Sequence, residues 1–294
     1  MNLPEKHKPV FLKEVIDFFN HAQAQANKDM VCIDCTLGQA GHSFEIFKNL
    51  KRGVLLSIDL SHVSIEWTAK NFDFNENNLK QEKSKKWMLF NDNFSNIKDI
   101  LVKNDLEKFD FLLADLGFSN LQLTENLGIS YSSLQQTLDM RYGKEGNTAD
   151  EILNGASEDY IAEILFRYTD MDRNLVIETS KRIIRYRKKA PIAKVKDVYS
   201  ALGSISKSAV VKLFQALRIV INKEDEKLLI LCELIKEMQS DNGVSLIITF
   251  NQFEELILEK SFGKHEIIEP NIKEIISNQQ SRSAKLHIFK TKSD

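Results

Sequence analysis

Along the first third of the chain, apolar residues recur in two alternating rhythms. Val10, Phe11, Val15, Ile16 and Phe19 fall at helical spacing and predict a helix over residues 10–24. Residues 30–33 form a short buried strand, followed by the loop Gly38-Gln-Ala-Gly41-His42 and a helix over about 43–49. The apolar run 53–58 ends in Asp59, and after another helical stretch comes a strand over 87–90 and a helix around 97–102. A further run, 109–114, ends in Asp115. Alternation of this kind predicts a parallel sheet with helices on both faces.

From about Gly128 the strand-like runs vanish and helical stretches dominate until Ser206: ADEILNGAS, EDYIAEILFRY, LVIETSKRIIRYRKK and AKVKDVYSAL. Alternation then resumes with helical residues over about 208–219 and 224–239. A turn and buried strand in DNGVSLIITF follow, with two further strand candidates, HEIIE and KLHIF. The simplest account is an open α/β sheet built from residues 1–127 and 207–294, interrupted by an all-helical insertion over 128–206.

Composition narrows the class. Among 294 residues, 43% are hydrophobic and 28% charged, the balance of a globular protein, and the 11 Gly and 4 Pro leave little room for long disordered stretches. No apolar run approaches the length of a membrane helix and the start carries no apolar signal core, so a cytoplasmic location without a membrane partner is expected. Three cysteines make no disulfide framework. Cys32 and Cys35 form a C-x-x-C within a strand, whereas a redox pair sits at a helix N-terminus, and no second cluster completes a zinc set, so core packing is expected and no metal. The net charge of −2 excludes a polycation, yet residues 173–196 carry nine basic residues and one acidic residue, Glu178.

In an open parallel sheet, ligands bind beyond the carboxyl ends of the strands. Four successive strand ends here carry residues suited to a nucleoside cofactor. The first is the loop Asp34-Cys-Thr-Leu-Gly38-Gln-Ala-Gly41-His42, whose glycines allow close backbone approach and lead into a helix N-terminus. Asp59 can accept both ribose hydroxyls, and Asn91-Asp92-Asn93-Phe94 can read and cover an adenine. The loop lacks the G-x-G of a dinucleotide site, and the carboxylate of Asp34 suits a cationic sulfonium better than a pyrophosphate. Charge therefore favours S-adenosylmethionine over NAD.

The fourth strand end, Asp115-Leu-Gly117-Phe118, suggests the reaction. Cytosine's exocyclic amine is conjugated with its ring and is a poor nucleophile. A carboxylate and a backbone carbonyl that accept its N–H bonds aim the nitrogen lone pair at the methyl group and offer a path for the proton. Phe118 can stack on the base. Asp115 as a mere helix cap or cofactor orienter is the competing reading.

Six segments, in order, resemble the bacterial small-subunit (16S) rRNA cytosine-N4 methyltransferase family. His7-Lys-Pro9-Val10 resembles its H-x-P-V opening, and residues 34–43 are similar to its D-x-T-x-G-x-G-G-H-S loop. Asp115-Leu-Gly-Phe-Ser119-Asn120-Leu-Gln122-Leu resembles D-L-G-x-S-S-x-Q-L; Leu138-Asp139-Met140-Arg141 matches L-D-M-R. Residues 214–222 match F-Q-A-L-R-I-x-x-N, and Arg282-Ser-Ala-Lys285-Leu286 matches R-S-A-K-L. The resemblance implies a Rossmann-like class I methyltransferase sheet with a helical insertion for substrate recognition. It implies S-adenosylmethionine contacts at Ala40, Gly41, His42, Asp59, Phe94, Asp115 and Gln122, to which the loop adds Asp34 and Gly38. Asp115, Ser119 and Asn120 become the catalytic candidates. The implied target is a cytidine of the decoding centre of 16S rRNA, in the small ribosomal subunit or its precursor. Arg182, Arg185 and Lys189 line one helical face, with Tyr186 alongside, and with Phe118, Arg141 and Arg218 they form the candidate RNA-facing set.

The sequence departs from the family pattern at Gln39-Ala40, at Asn120 and Leu121, and at Asn251 and Gln252, where a His is lost. Most departures fall where RNA would sit. Two alternatives stay open: a methyltransferase for another substrate, and a non-catalytic ribosome-assembly factor of the same fold. A homodimer is also left open.

Overall fold

The computed structural model describes residues 8–26, 28–117, 127–143, 146–204 and 207–291. The chain divides into two compact units, one of residues 1–121 and 227–294 and one of residues 122–226. The sequence expectation ended the insertion at residue 206; packing carries the helical unit on to residue 226.

In the first unit, helix α1 (Leu12–Gln25) precedes β1 (Met30–Asp34), α2 (Gly41–Asn49), β2 (Gly53–Asp59), α3 (His62–Asn71), β3 (Leu79–Glu82) and β4 (Lys85–Asn91). A 3₁₀ turn, Phe94–Asn96, leads to α4 (Ile97–Lys103) and β5 (Phe109–Asp115). After the helical unit come β6 (Gln239–Thr249), α11 (Gln252–Phe262), β7 (Glu266–Ile268), α12 (Ile272–Ser277) and β8 (Lys285–Lys290). The eight strands form one sheet in the order β3-β4-β2-β1-β5-β6-β8-β7. The core from β4 to β6 is parallel, and β8 runs antiparallel between β6 and β7. This is the mostly parallel sheet that the alternation predicts, in the Rossmann-like form that the resemblance implies.

β5 shows why both faces are covered. Every residue from Phe109 to Ala114 is buried: Phe111 and Leu113 join the core against α1 and α2, while Leu112 and Ala114 join the core with Ile97, Leu101, Leu231 and Leu258. A run buried on both faces needs cover on both sides, and the one charged residue in it, Asp110, is satisfied by the Val31 N–H and the Ser240 hydroxyl. Cys32 and Cys35 lie in these cores, and burial pushes both thiols well above the ordinary range, so they pack and do not react.

Four elements differ from the sequence reading. β3 was not expected, because Leu-Lys-Gln-Glu is polar; it forms as an edge strand paired antiparallel to β4. β6 begins at Gln239, upstream of the expected Asp-Asn-Gly turn, and absorbs that turn as a register break opposite β5 between Phe109 and Phe111. Neither α11 nor the short α12 was expected.

The helical unit contains α5 (Ala149–Gly155), α6 (Glu158–Tyr168), α7 (Arg173–Arg187), α8 (Val195–Leu202) and α9 (Lys207–Asn222). Helix α10 (Glu224–Met238) starts in this unit and continues into the first. Thr148 with Glu151, Ser157 and Asp172 cap α5, α6 and α7 through side-chain oxygens, which explains the sharp helix starts. Among the described residues, no helix is long and apolar enough to cross a membrane.

Candidate active site

The chain leaves β1 toward β2 and β4 on one side and returns to β5 on the other, so the sheet's topological switch lies between β1 and β5. Ligands of open α/β sheets bind at that crevice. The strand ends bordering it carry Asp34 and Asp115.

Asp34 is 1% exposed, and the chain itself engages both its oxygens. Oδ1 accepts the Thr36 N–H at 3.0 Å, and Oδ2 accepts the Ser43 hydroxyl at 2.6 Å. Since Ser43 donates there, Ser57 must donate to Ser43 at 2.6 Å, and Trp87 Nε1 donates to Ser57 at 2.8 Å. The result is a one-directional buried chain from β4 to the loop that ends on a carboxylate. Burial raises the pKa of Asp34, and these donors pull it back down. Thr36 joins the two strand ends, because its hydroxyl oxygen also accepts the Asp115 N–H at 2.7 Å. Sequence reasoning missed Thr36, Ser43 and Ser57, although the spacing D-x-T and the Ser after His42 carried the signal.

The glycine-bearing turn is shaped from three directions. Gly38 and Ala40 both take left-handed backbone, with φ of 51° and 59°. The second is a conformation that costs an L-residue energy, at a position where the resembled family usually has glycine. Gly41 is required for a different reason: a Cβ there would lie 2.4 Å from Pro9 Cγ. The Pro9-Val10 opening therefore packs directly on the loop, which links two distant sequence motifs. Val10 also presents its carbonyl to His42 Nε2 at 2.9 Å. The N-cap residue of α2, Ala40, makes no side-chain cap to the first turn, which leaves the turn the character of an anion site.

Asp59 closes the loop from β2. Its oxygens accept the Gly38 N–H at 2.7 Å and the Ser61 N–H at 2.8 Å. Burial nevertheless pushes its pKa up to about 6. In the next strand end, Asn91 donates to the carbonyls of Asp59 and Leu60, Asp92 accepts from Asn93 and Asn96, and Asn93 caps the 3₁₀ turn through Ser95. These polar side chains therefore build the turn, and Phe94 packs half-buried at its start.

Asp115 is the least satisfied acid of the group. Its side chain is 22% exposed, yet Oδ1 is buried and has no hydrogen-bond partner among the described residues. Oδ2 lies 3.8 Å from Nδ1 of His42. A carbonyl only accepts, so His42 carries its hydrogen on Nε2 toward Val10, and in the neutral ring the lone pair of Nδ1 faces Asp115. Burial, reinforced by the charges of Asp34 and Glu254, pushes Asp115 up to about 8. Asp34, Gly38, Ala40, Gly41, His42, Asp59, Phe94 and Asp115 thus all stand at the carboxyl ends of neighbouring strands. Phe118, Ser119, Asn120 and Gln122 lie outside the described residues.

The basic candidates of the helical unit divide into two groups. Arg141 is held by both oxygens of Asp139, at 2.6 and 3.0 Å, and Arg218 by both of Glu224, at 2.9 and 3.1 Å. Arg182 donates to Glu178 and to the Leu202 carbonyl, both at 2.6 Å. Arg185 and Lys189 are exposed and make no ion pair among the described residues.

The chain matches the MraW methylase family over residues 4–268. The ribosomal RNA small subunit methyltransferase H of Dictyoglomus turgidum is 30% identical, over 96% of this chain and 96% of its own. That of Mycoplasma mobile is 30% identical over 97% of each. A solved rRNA methylase from Streptococcus thermophilus covers 99% of this chain and 100% of its own at 9% identity, with a TM-score of 0.42, a likeness that adds nothing to the fold described above. The match to the family extends from the Pro9 segment that shapes the loop, through both strand ends of the crevice, to β7: the chain is a methyltransferase of the MraW methylase family.

Proposed function

We propose that this enzyme uses S-adenosylmethionine to methylate the exocyclic N4 of a decoding-centre cytidine in 16S rRNA, in the cytoplasm, on the small subunit or its precursor. The observation that carries the reading is Asp115: a carboxyl at the switch-point crevice with one buried oxygen left without a partner. The group needs either a donor or a nearby cation, and the proposed ligands offer both.

The donor set fits the cofactor. Three buried or half-buried carboxyl groups, Asp34, Asp59 and Asp115, have their pKa values raised by desolvation, and a positive charge offsets that cost. Asp59 would hold the ribose hydroxyls, the uncapped first turn of α2 the carboxylate, and Phe94 the adenine. Asp34 contributes by ordering the loop. When bound, the cofactor supplies an electrophilic methyl on a good leaving group, so the protein's share is alignment and proton management.

Asp115 does that share. At neutral pH an acid whose pKa is about 8 is largely protonated, and a neighbouring cation returns it to the carboxylate. The carboxylate accepts a hydrogen bond from the exocyclic amine and takes up its proton as the carbon–nitrogen bond forms. The His42 ring, fixed by its Nε2–H bond to the Val10 carbonyl, packs against the Asp115 carboxyl with Nδ1 3.8 Å from Oδ2. Ser119, Asn120 and Gln122 complete the proposed site, and Phe118 stacks on the base. The sheet unit is the cofactor domain and the helical unit the RNA-recognition domain, where Arg185 and Lys189 contact phosphate. Arg141, Arg182 and Arg218 hold their surroundings in shape beside that surface.

The test is mass spectrometry of small-subunit rRNA from a strain lacking the protein. Loss of one N4-methylcytidine, restored by the intact gene but not by Asp115→Asn, is expected. An unchanged methylation map overturns the target.

A further inference from the structure

Within the helical unit, the segment following Leu127 meets α8 and the start of α9 in a cleft of about 470 Å³. Tyr131, Ser132, Leu134, Lys196, Tyr199 and Lys207 line it. The chain fixes these groups in place. Tyr199 donates its hydroxyl to the Tyr131 carbonyl at 3.0 Å, and the Lys196 N–H donates to the Leu134 carbonyl at 3.0 Å. The Lys207 ammonium stands 5.8 Å from the centre of the Tyr131 ring. Leu134 is 46% exposed.

The chemistry of this lining is specific. It presents two aromatic rings, two ammonium groups and two small or apolar side chains, and no carboxylate. Neither Lys196 nor Lys207 makes an ion pair among the described residues. By contrast, the guanidinium groups of Arg141, Arg182 and Arg218 are tied to Asp139, Glu178 and Glu224, and Arg187 donates to the carbonyls of Leu153 and Ala156. Cations left uncompensated beside aromatic rings suit a ligand with a flat face and a negative charge.

We propose that this cleft is a subsite for one unpaired nucleotide of the RNA substrate, its base against the tyrosines and its flanking phosphates at Lys196 and Lys207. The inference rests on the RNA reading above and locates an anchoring point within it. Stacking on tyrosine tolerates any base, since every base has a π-face, and lysine supplies charge without sequence preference. A duplex keeps its bases stacked on one another and offers none to the cleft, so the subsite selects a single-stranded or looped segment.

The experiment is fluorescence anisotropy of the full chain with a labelled single-stranded oligouridine, and with the same strand in duplex, across a salt series. Lys196→Ala/Lys207→Ala is expected to weaken single-strand binding about tenfold and, at about 0.7 per single-strand phosphate contact, to lower the log–log salt slope by about 1.4. Tyr131→Leu is expected to lose about tenfold with the slope unchanged, and Tyr131→Phe to bind as the parent does. Melting curves of each variant check the fold, and ultraviolet cross-linking of a bromouridine strand to Tyr131 or Tyr199 in the parent gives an independent readout. If the parent binds the strand and all variants match it, the subsite is refuted while the RNA reading stands. If the parent binds no RNA, free or in the small subunit, both are overturned.

Discussion

Asp115→Asn separates the proton role of this residue from its shape. Asparagine is nearly isosteric but cannot ionise, so the two chains differ in one titration. In the cofactor-free fold Asp115 has its pKa raised from 3.8 to about 8. A raised acid stabilises the fold most at low pH, where both states are protonated or the fold holds the extra proton. That contribution is lost as pH rises from about 4 through about 8. At about 1.4 kcal/mol per pH unit the gap sets a ceiling of about 6 kcal/mol, and with the side chain 22% exposed, water and relaxation reduce this to about 2 kcal/mol. Wild type should therefore lose about 2 kcal/mol relative to Asp115→Asn between pH 4 and pH 8, read from urea unfolding without cofactor. The same substitution should lower kcat by about 10²–10⁴, the usual loss when a positioned proton acceptor is removed. A stability difference that stays flat with pH would refute the desolvated-acid argument. Near-wild-type turnover would remove Asp115 from the chemistry whatever its titration.

Other consequences are equally direct. Asp59→Ala should weaken cofactor binding at least tenfold in calorimetry, since it removes the acceptor for the ribose and loosens Gly38 and Ser61; unchanged affinity excludes Asp59 from the site. Gly41→Ala places a Cβ 2.4 Å from Pro9 Cγ and should cost about 1–3 kcal/mol of stability. Pro9→Ala should recover part of that loss, and additive effects in the double mutant would disprove the contact. Thr36→Val removes the acceptor of the Asp115 N–H and a donor near Asp34, for a loss of about 1–3 kcal/mol by thermal unfolding. If the melting curve does not move, Thr36 does not join the two strand ends.

Most of the sheet was legible in the sequence because its strands are short apolar runs buried on both faces, and strand ends are where chain polarity changes. Asp34, Asp59 and Asp115 could be placed that way without any coordinates. β3 could not, because an edge strand of polar residues looks like a loop until its partner is known. The glycine-bearing turn was recognisable in the sequence, but the reason for Gly41 was not: it lies in Pro9, 32 positions earlier. The basic run over 173–196 read as one cationic track, since sequence shows charge and not its partners. In the fold Arg182 is tied to Glu178 and Leu202, while Lys196 from the same run lines a cleft with Tyr199 and makes no ion pair among the described residues.

Local pattern alone thus determined the fold class and the acids that stand at the strand ends, because hydrophobic periodicity and strand-end polarity are properties of neighbouring residues. Tertiary structure decided, among the described residues, which acids are engaged, which keeps a buried oxygen without a partner, and which cations make no ion pair. Those are outcomes of desolvation and of partners far apart in sequence, and such terms exist only once the chain has folded.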